Sequence, residues 1–135
     1  MGKGALSGYR VLAGDRIAFA PPSWNLAETR RAVVEVRDGL QHSQAALWRF
    51  PPGGGNRRHR EQVQEEVFCV LEGTLTAYLG DPAERFELGP RSIVVVEAGT
   101  ALQLHNESED DVVFFAYGAP AQASDYVAEK LPDAY

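Results

Sequence analysis

The sequence predicts an all-β fold, and three observations carry that expectation. Short runs rich in β-branched and aromatic residues recur through the chain, among them Ala32–Arg37, Val67–Leu71 and Val112–Tyr117. Turn signals follow them: Asp38-Gly39, Glu72-Gly73, Gly80-Asp81-Pro82, Gly89-Pro90 and Ala98-Gly99. The 135 residues include 13 glycines and 8 prolines, a frequency of chain breaks that favours short strands over long helices. Strands of this length at near-regular spacing build a β-sandwich or barrel.

Taken in order, Met1–Gly8 is glycine-rich and expected to be loose. Tyr9–Leu12 and Arg16–Ala20 read as short strands, the second ended by Pro21-Pro22. Trp24–Arg31 is expected to hold one helical turn, with Ser23 placed as its cap. Ala32–Arg37 is a strand, and Gln44–Phe50 is another that enters the glycine-rich loop Pro51–Gly55. The following strands are Val67–Leu71, Thr74–Leu79, Arg85–Leu88, Ser92–Glu97, Ala101–His105 and Val112–Tyr117. Ser92–Glu97 is almost continuously apolar, so it is expected to be buried on both faces, one of them by another sheet or subunit. The tail, Ala119–Tyr135, is expected to be flexible, with a short helix near Tyr126–Lys130 or a docking role on a neighbouring subunit.

Composition narrows the function. The chain has the size of one domain, residues 1–135, and its 44% hydrophobic and 24% charged residues are ordinary for a globular protein. A net charge of -6 argues against a nucleic-acid partner. No apolar run reaches the roughly 20 residues of a membrane helix, and Met1–Arg10 lacks the apolar middle of a signal peptide. Cys69 is the single cysteine, which excludes an internal disulfide and, with the missing signal, points to the cytoplasm. Its apolar strand makes it a core-filling thiol.

Candidate chemistry gathers between Pro51 and Glu66, where a glycine-rich loop and a polar run precede a core strand. Gly53, His59, Glu61, Glu66 and Gly73 stand there with intervals of five, one, four and six residues. This spacing resembles the first cupin motif, with glutamate at the position of its second histidine. Arg91, Glu97, Ala98, Gly99, Leu102 and Asn106 are similar to the second cupin motif, but its glycine, proline and histidine positions hold Arg91, Glu97 and Leu102. The two motifs span residues 53–106. The resemblance implies a double-stranded β-helix (jelly-roll) barrel of the cupin type, with short helical turns at the periphery, often a homodimer, with a site in the barrel mouth. It also implies ligand positions at His59, Glu61, Glu66 and Leu102, of which three still carry a donor.

His59 and Glu61 are two apart and share a face on a regular strand, and Glu66, opening the next strand, can return to the same spot. One imidazole and two carboxylates suit a divalent ion such as Mn, Fe, Ni or Zn. Two facing carboxylates in a low-dielectric barrel need a proton or a cation between them. A metal or one of Arg49, Arg57, Arg58 and Arg60 answers that need, and the sequence leaves both open. Arg57 is the candidate anion contact. Trp48, Phe50, Leu102 and Leu104, with His59 and Glu66, are the candidate pocket walls, although Trp48 and Phe50, alternating on one strand face, read first as core. His105 lies on the opposite strand face from Leu102 and does not replace it. Three functions follow: a cupin that binds a small molecule with a weakened or absent metal site, a divalent-metal enzyme of isomerase or dioxygenase type, and a dimeric scaffold or regulatory protein.

Overall fold

The computed structural model describes residues 8–123 and 126–135. Ten strands follow in order: β1 (Ala32–Glu35), β2 (Gln44–Phe50), β3 (His59–Arg60), β4 (Glu65–Glu72), β5 (Leu75–Leu79), β6 (Glu84–Leu88), β7 (Ile93–Val96), β8 (Ala101–His105), β9 (Val112–Ala119) and β10 (Glu129–Lys130). They form two antiparallel five-stranded sheets, ordered β1-β2-β9-β4-β7 and β10-β3-β8-β5-β6. Apart from the β1–β2 and β5–β6 pairs, sequence neighbours alternate between sheets, so that motif residues distant along the chain come face to face.

Alternation of side chains along each strand makes the core. Phe50, Phe68, Val70, Val94, Val96, Val112 and Phe114 from the first sheet meet Leu75, Ala77, Leu102 and Leu104 from the second. Phe114 stacks edge-on against both Phe50 and Phe68, with ring centroids 5.0 and 6.1 Å apart. Burying each large side chain contributes about 1.5–3 kcal/mol. The Asn106 amide, with no solvent exposure, donates to the carbonyls of Phe50 and Asp110 and accepts from Ser108, fixing the β8–β9 loop. Gly73 has φ +78°, and a Cβ there would collide with the Asp111 carbonyl, so the β4–β5 turn requires glycine.

Several expectations are corrected. No helix occurs among the described residues. Over Trp24–Arg31 the chain makes tight turns, Asn25 to Pro22 and Glu28 to Asn25, in place of the expected helical turn. Tyr9–Leu12 and Arg16–Ala20 are not strands, and only Ala20 bridges to Val33. β7 alternates strictly: Val94 and Val96 are buried, whereas Ile93 and Val95 are 65% and 70% exposed in the single chain. Near Tyr126–Lys130 the tail forms the edge strand β10 instead of a helix. Beyond it, the tail straps the outer face of the second sheet. Gln103, fully buried, donates to Asp133 and accepts from the Ala134 amide, and Tyr135 stacks on His105 with centroids 4.3 Å apart. Of the N-terminal stretch expected to be loose, Met1–Ser7 lie outside the described residues. No helix of the described residues is long and apolar enough to cross a membrane.

Candidate functional site

β3 and β4 bring the candidate donors together at one end of the barrel. His59 pairs in register with Leu102 of β8, so both side chains point inward. Glu66 lies on the inner face of β4 with Phe68 and Val70, opposite Gly118 of β9. A Cβ at Gly118 would lie 2.5 Å from the Gln64 side chain, so glycine here leaves room for Gln64 to pack across β9. Glu61 follows β3, its carbonyl held by the Gly99 amide at 2.7 Å. One donor atom from each of His59, Glu61 and Glu66 lies within 4.8 Å of the others.

Hydrogen bonding fixes what each group offers. His59 Nδ1 lies 2.8 Å from the Arg57 carbonyl, an acceptor only, so Nδ1 carries the proton. In the neutral ring, Nε2 then presents a lone pair to Glu61 Oε2 at 3.2 Å, an arrangement that calls for a proton or a metal ion between them. Gln122 donates to Glu61 Oε1 at 2.5 Å. Glu66 Oε1 is buried with no hydrogen-bond partner.

Electrostatics follow from this crowding. Burial alone would lower the His59 pKa, but the hydrogen bonds to Glu61 and the Arg57 carbonyl and the charges of Glu61 and Glu66 outweigh it, and the pKa is raised. Burial would raise Glu61; the hydrogen bonds from His59 and Gln122 outweigh it, and Glu61 is lowered. Burial first, then the charge of Glu61, push Glu66 up to about 7, with His59 compensating only in part. The orphaned Glu66 oxygen and the exposed Nε2 lone pair fit a divalent cation. One nitrogen and two carboxylates would hold it, with His59 oriented by the Arg57 carbonyl.

A cavity of about 170 Å³ opens beside Glu61 and Glu66, lined also by Trp24, Glu35, Arg37, Gln44, Trp48 and Gln64. Trp48 is therefore a wall, its ring 6.2 Å from that of Trp24 and covered by the Arg31 guanidinium at 5.1 Å. Other expected walls are not. Phe50, Leu102 and Leu104 are 0–2% exposed and sealed into the core, because their strands run on into the barrel below the mouth. Arg57 faces solvent and lends only its carbonyl, and Arg37 is the guanidinium that lines the cavity. Trp24, Arg37, Gln64 and Gln122 had no signal in the sequence. Gln122 reaches Glu61 across 61 residues of chain, a contact that no local pattern encodes.

The family model for the Cupin domain matches residues 46–117, more than half of the chain. This chain therefore belongs to the cupin family. Among solved structures it is similar to a sugar phosphate isomerase of the cupin superfamily from Silicibacter pomeroyi, at 24% identity and TM-score 0.70, covering 83% of this chain and 76% of the other. KdgF from a Halomonas species matches at 16% identity and TM-score 0.67, covering 82% and 94%. A predicted oxalate decarboxylase from Thermotoga maritima matches at 15% identity and TM-score 0.59, covering 67% and 79%. Identities this low establish a shared fold. No curated protein matches.

Proposed function

We propose that this chain is a small-molecule-binding cupin whose cavity presents its ligand to a divalent ion held by His59, Glu61 and Glu66. The observation that carries the reading is the Nε2 lone pair of His59 facing Glu61, beside a buried Glu66 oxygen with no partner. When bound, the ion would act as a Lewis acid on a ligand carbonyl or hydroxyl oxygen. The chain's own groups do the rest. Gln122 holds Glu61, the Arg57 carbonyl orients His59, and Trp24 and Trp48 offer apolar surface to the ligand. A cavity of about 170 Å³ suits a small metabolite, since drug-sized ligands occupy about 300 Å³ or more. In the metal-free site Glu66, with a pKa of about 7, holds or releases a proton near neutral pH, and a bound ion would take that proton's place. The sugar phosphate isomerases among the similar structures make hydroxy and keto compounds the first ligands to try.

A second reading has its own support. The raised pKa of His59 and lowered pKa of Glu61 describe an imidazolium–carboxylate pair that neutralises the site without metal. Calorimetric titration of tag-free protein with Mn(II), Fe(II), Ni(II) and Zn(II) separates the two. The metal reading expects one ion per chain, with binding abolished by His59→Ala. Lack of any binding, or equal binding by His59→Ala, overturns it. Cytoplasmic location and homodimer formation belong to the same proposal.

A further inference from the structure

Gln103 points away from the core residues Leu102 and Leu104, toward the side that solvent would occupy, yet it has no exposure. A strap of residues 126–135 covers it. Gln103 donates to Asp133 and accepts from the Ala134 amide, each at 2.9 Å, and Tyr135 packs against His105 and Tyr78. The Leu131 amide donates to the Arg58 carbonyl at 3.0 Å, and the buried Arg58 guanidinium donates to the Pro132 carbonyl at 3.3 Å. Within the strap, β10 pairs with β3 and sets Lys130 opposite His59. With only two residues, β3 would otherwise be held by β8 alone. The strap also reaches the site itself. The Tyr126 hydroxyl accepts from the Gln62 amide at 3.1 Å, next to Glu61. Its own proton is left for the Glu61 carboxylate. Burial would raise the Glu61 pKa, and hydrogen bonds from His59, Gln122 and Tyr126 outweigh it.

We propose that Tyr126 is a positioning residue for Glu61, and that docking of the strap on Gln103 and His105 and closure of the His59–Glu61 arm are one cooperative event. Two of the three donors depend on the strap. His59 is held through the pairing of β3 with β10, and Glu61 through Tyr126. The Tyr126 oxygen fixes the main chain just after Glu61, and the Tyr126 proton fixes the carboxylate. Glu66 stands on β4 in the first sheet, away from the strap. Release of the strap therefore separates His59 and Glu61 from Glu66. By linkage, anything that gathers the three donors favours docking by the same factor. The ion named in this role rests on the reading proposed above; the cooperativity of strap and arm does not.

The test uses amide hydrogen exchange by NMR and calorimetry with Mn(II), on wild type, Tyr126→Phe, Asp133→Ala and Tyr135→Ala. Asp133 and Tyr135 are exposed and remote from the donors, so either can be changed without touching the site, and circular dichroism checks folding. In metal-free protein, Asp133→Ala and Tyr135→Ala are each expected to speed exchange at the Leu131 and Gln62 amides about tenfold, with the Phe114 amide of the core unchanged. A Gln62 amide indifferent to both distal changes overturns the proposal, because the strap would then be a passive cover. With Mn(II), wild type is expected to slow exchange at the Ala134 amide, and Tyr126→Phe and Asp133→Ala each to weaken binding about three- to tenfold. Wild type that binds Mn(II) no more tightly than these variants, with Ala134 exchange unmoved, also overturns it. A wild type that binds no Mn(II) overturns the ion reading instead, and the metal-free exchange then decides the strap proposal by itself.

Discussion

Glu66→Gln isolates the electrostatic cost of the site. The carboxyl is held at about 7 against an ordinary value of 4.5, mainly by burial and then by the charge of Glu61. At 1.36 kcal/mol per pKa unit, a displacement of this size costs the folded, metal-free protein at most about 3 kcal/mol once Glu66 is ionised. The glutamine keeps the shape and cannot ionise. Below pH 4.5 the native carboxyl is protonated in both folded and unfolded chains, and the cost is absent. Between 4.5 and about 7 the folded state holds a proton that the unfolded state releases, so stability falls as pH rises, and above 7 the full cost applies. Metal-free Glu66→Gln is therefore expected to be more stable than wild type at pH 8 by about 1–3 kcal/mol, a rise in Tm of roughly 3–12 °C. At pH 4.5 the gain disappears. Urea unfolding of metal-free protein at both pH values measures this. A variant less stable than wild type at pH 8, or a gain independent of pH, would refute the reasoning.

The remaining predictions use other residues. Leu102→His places an imidazole directly across from His59, at the fourth ligand position that the motif implies; it should tighten Mn(II) or Zn(II) binding about tenfold or more by calorimetry. The same change should lower Tm by several degrees, because Leu102 has no solvent exposure and an imidazole buried without metal is costly. Asn106→Ala removes a buried amide that holds the Phe50 and Asp110 carbonyls and should cost about 2–4 kcal/mol in denaturant unfolding, independent of metal.

Much of the barrel was legible because its strands are separated by glycine and proline turns that allow few alternatives. Gln44–Phe50, Ala101–His105 and Val112–Tyr117 lie within one or two residues of the observed strands. β3 and β10 were not legible, being two-residue strands defined by their partners rather than by any pattern of their own. Tyr9–Leu12 carries strand-like residues but finds no partner, and strand propensity without pairing makes no strand. In the site, the spacing of His59, Glu61 and Glu66 was readable, and the structure brings these three together. The walls were not. Leu102 and Leu104 read as pocket lining because they share one strand face and Leu102 holds the motif's fourth ligand position, but that face runs from the mouth into sealed core. Arg37 and Gln122 enter from a neighbouring strand end and from the tail, through contacts that only the folded chain creates.

Anomalous diffraction from crystals soaked in Mn(II), with data at two energies, would test whether the acidic cluster at the barrel mouth holds a metal. The proposed function predicts one peak per chain, bonded to His59 Nε2 and to at least one oxygen each of Glu61 and Glu66. A map with no peak there, and with Nε2 still within hydrogen-bond distance of Glu61, would contradict it and leave a proton as the charge that balances the site.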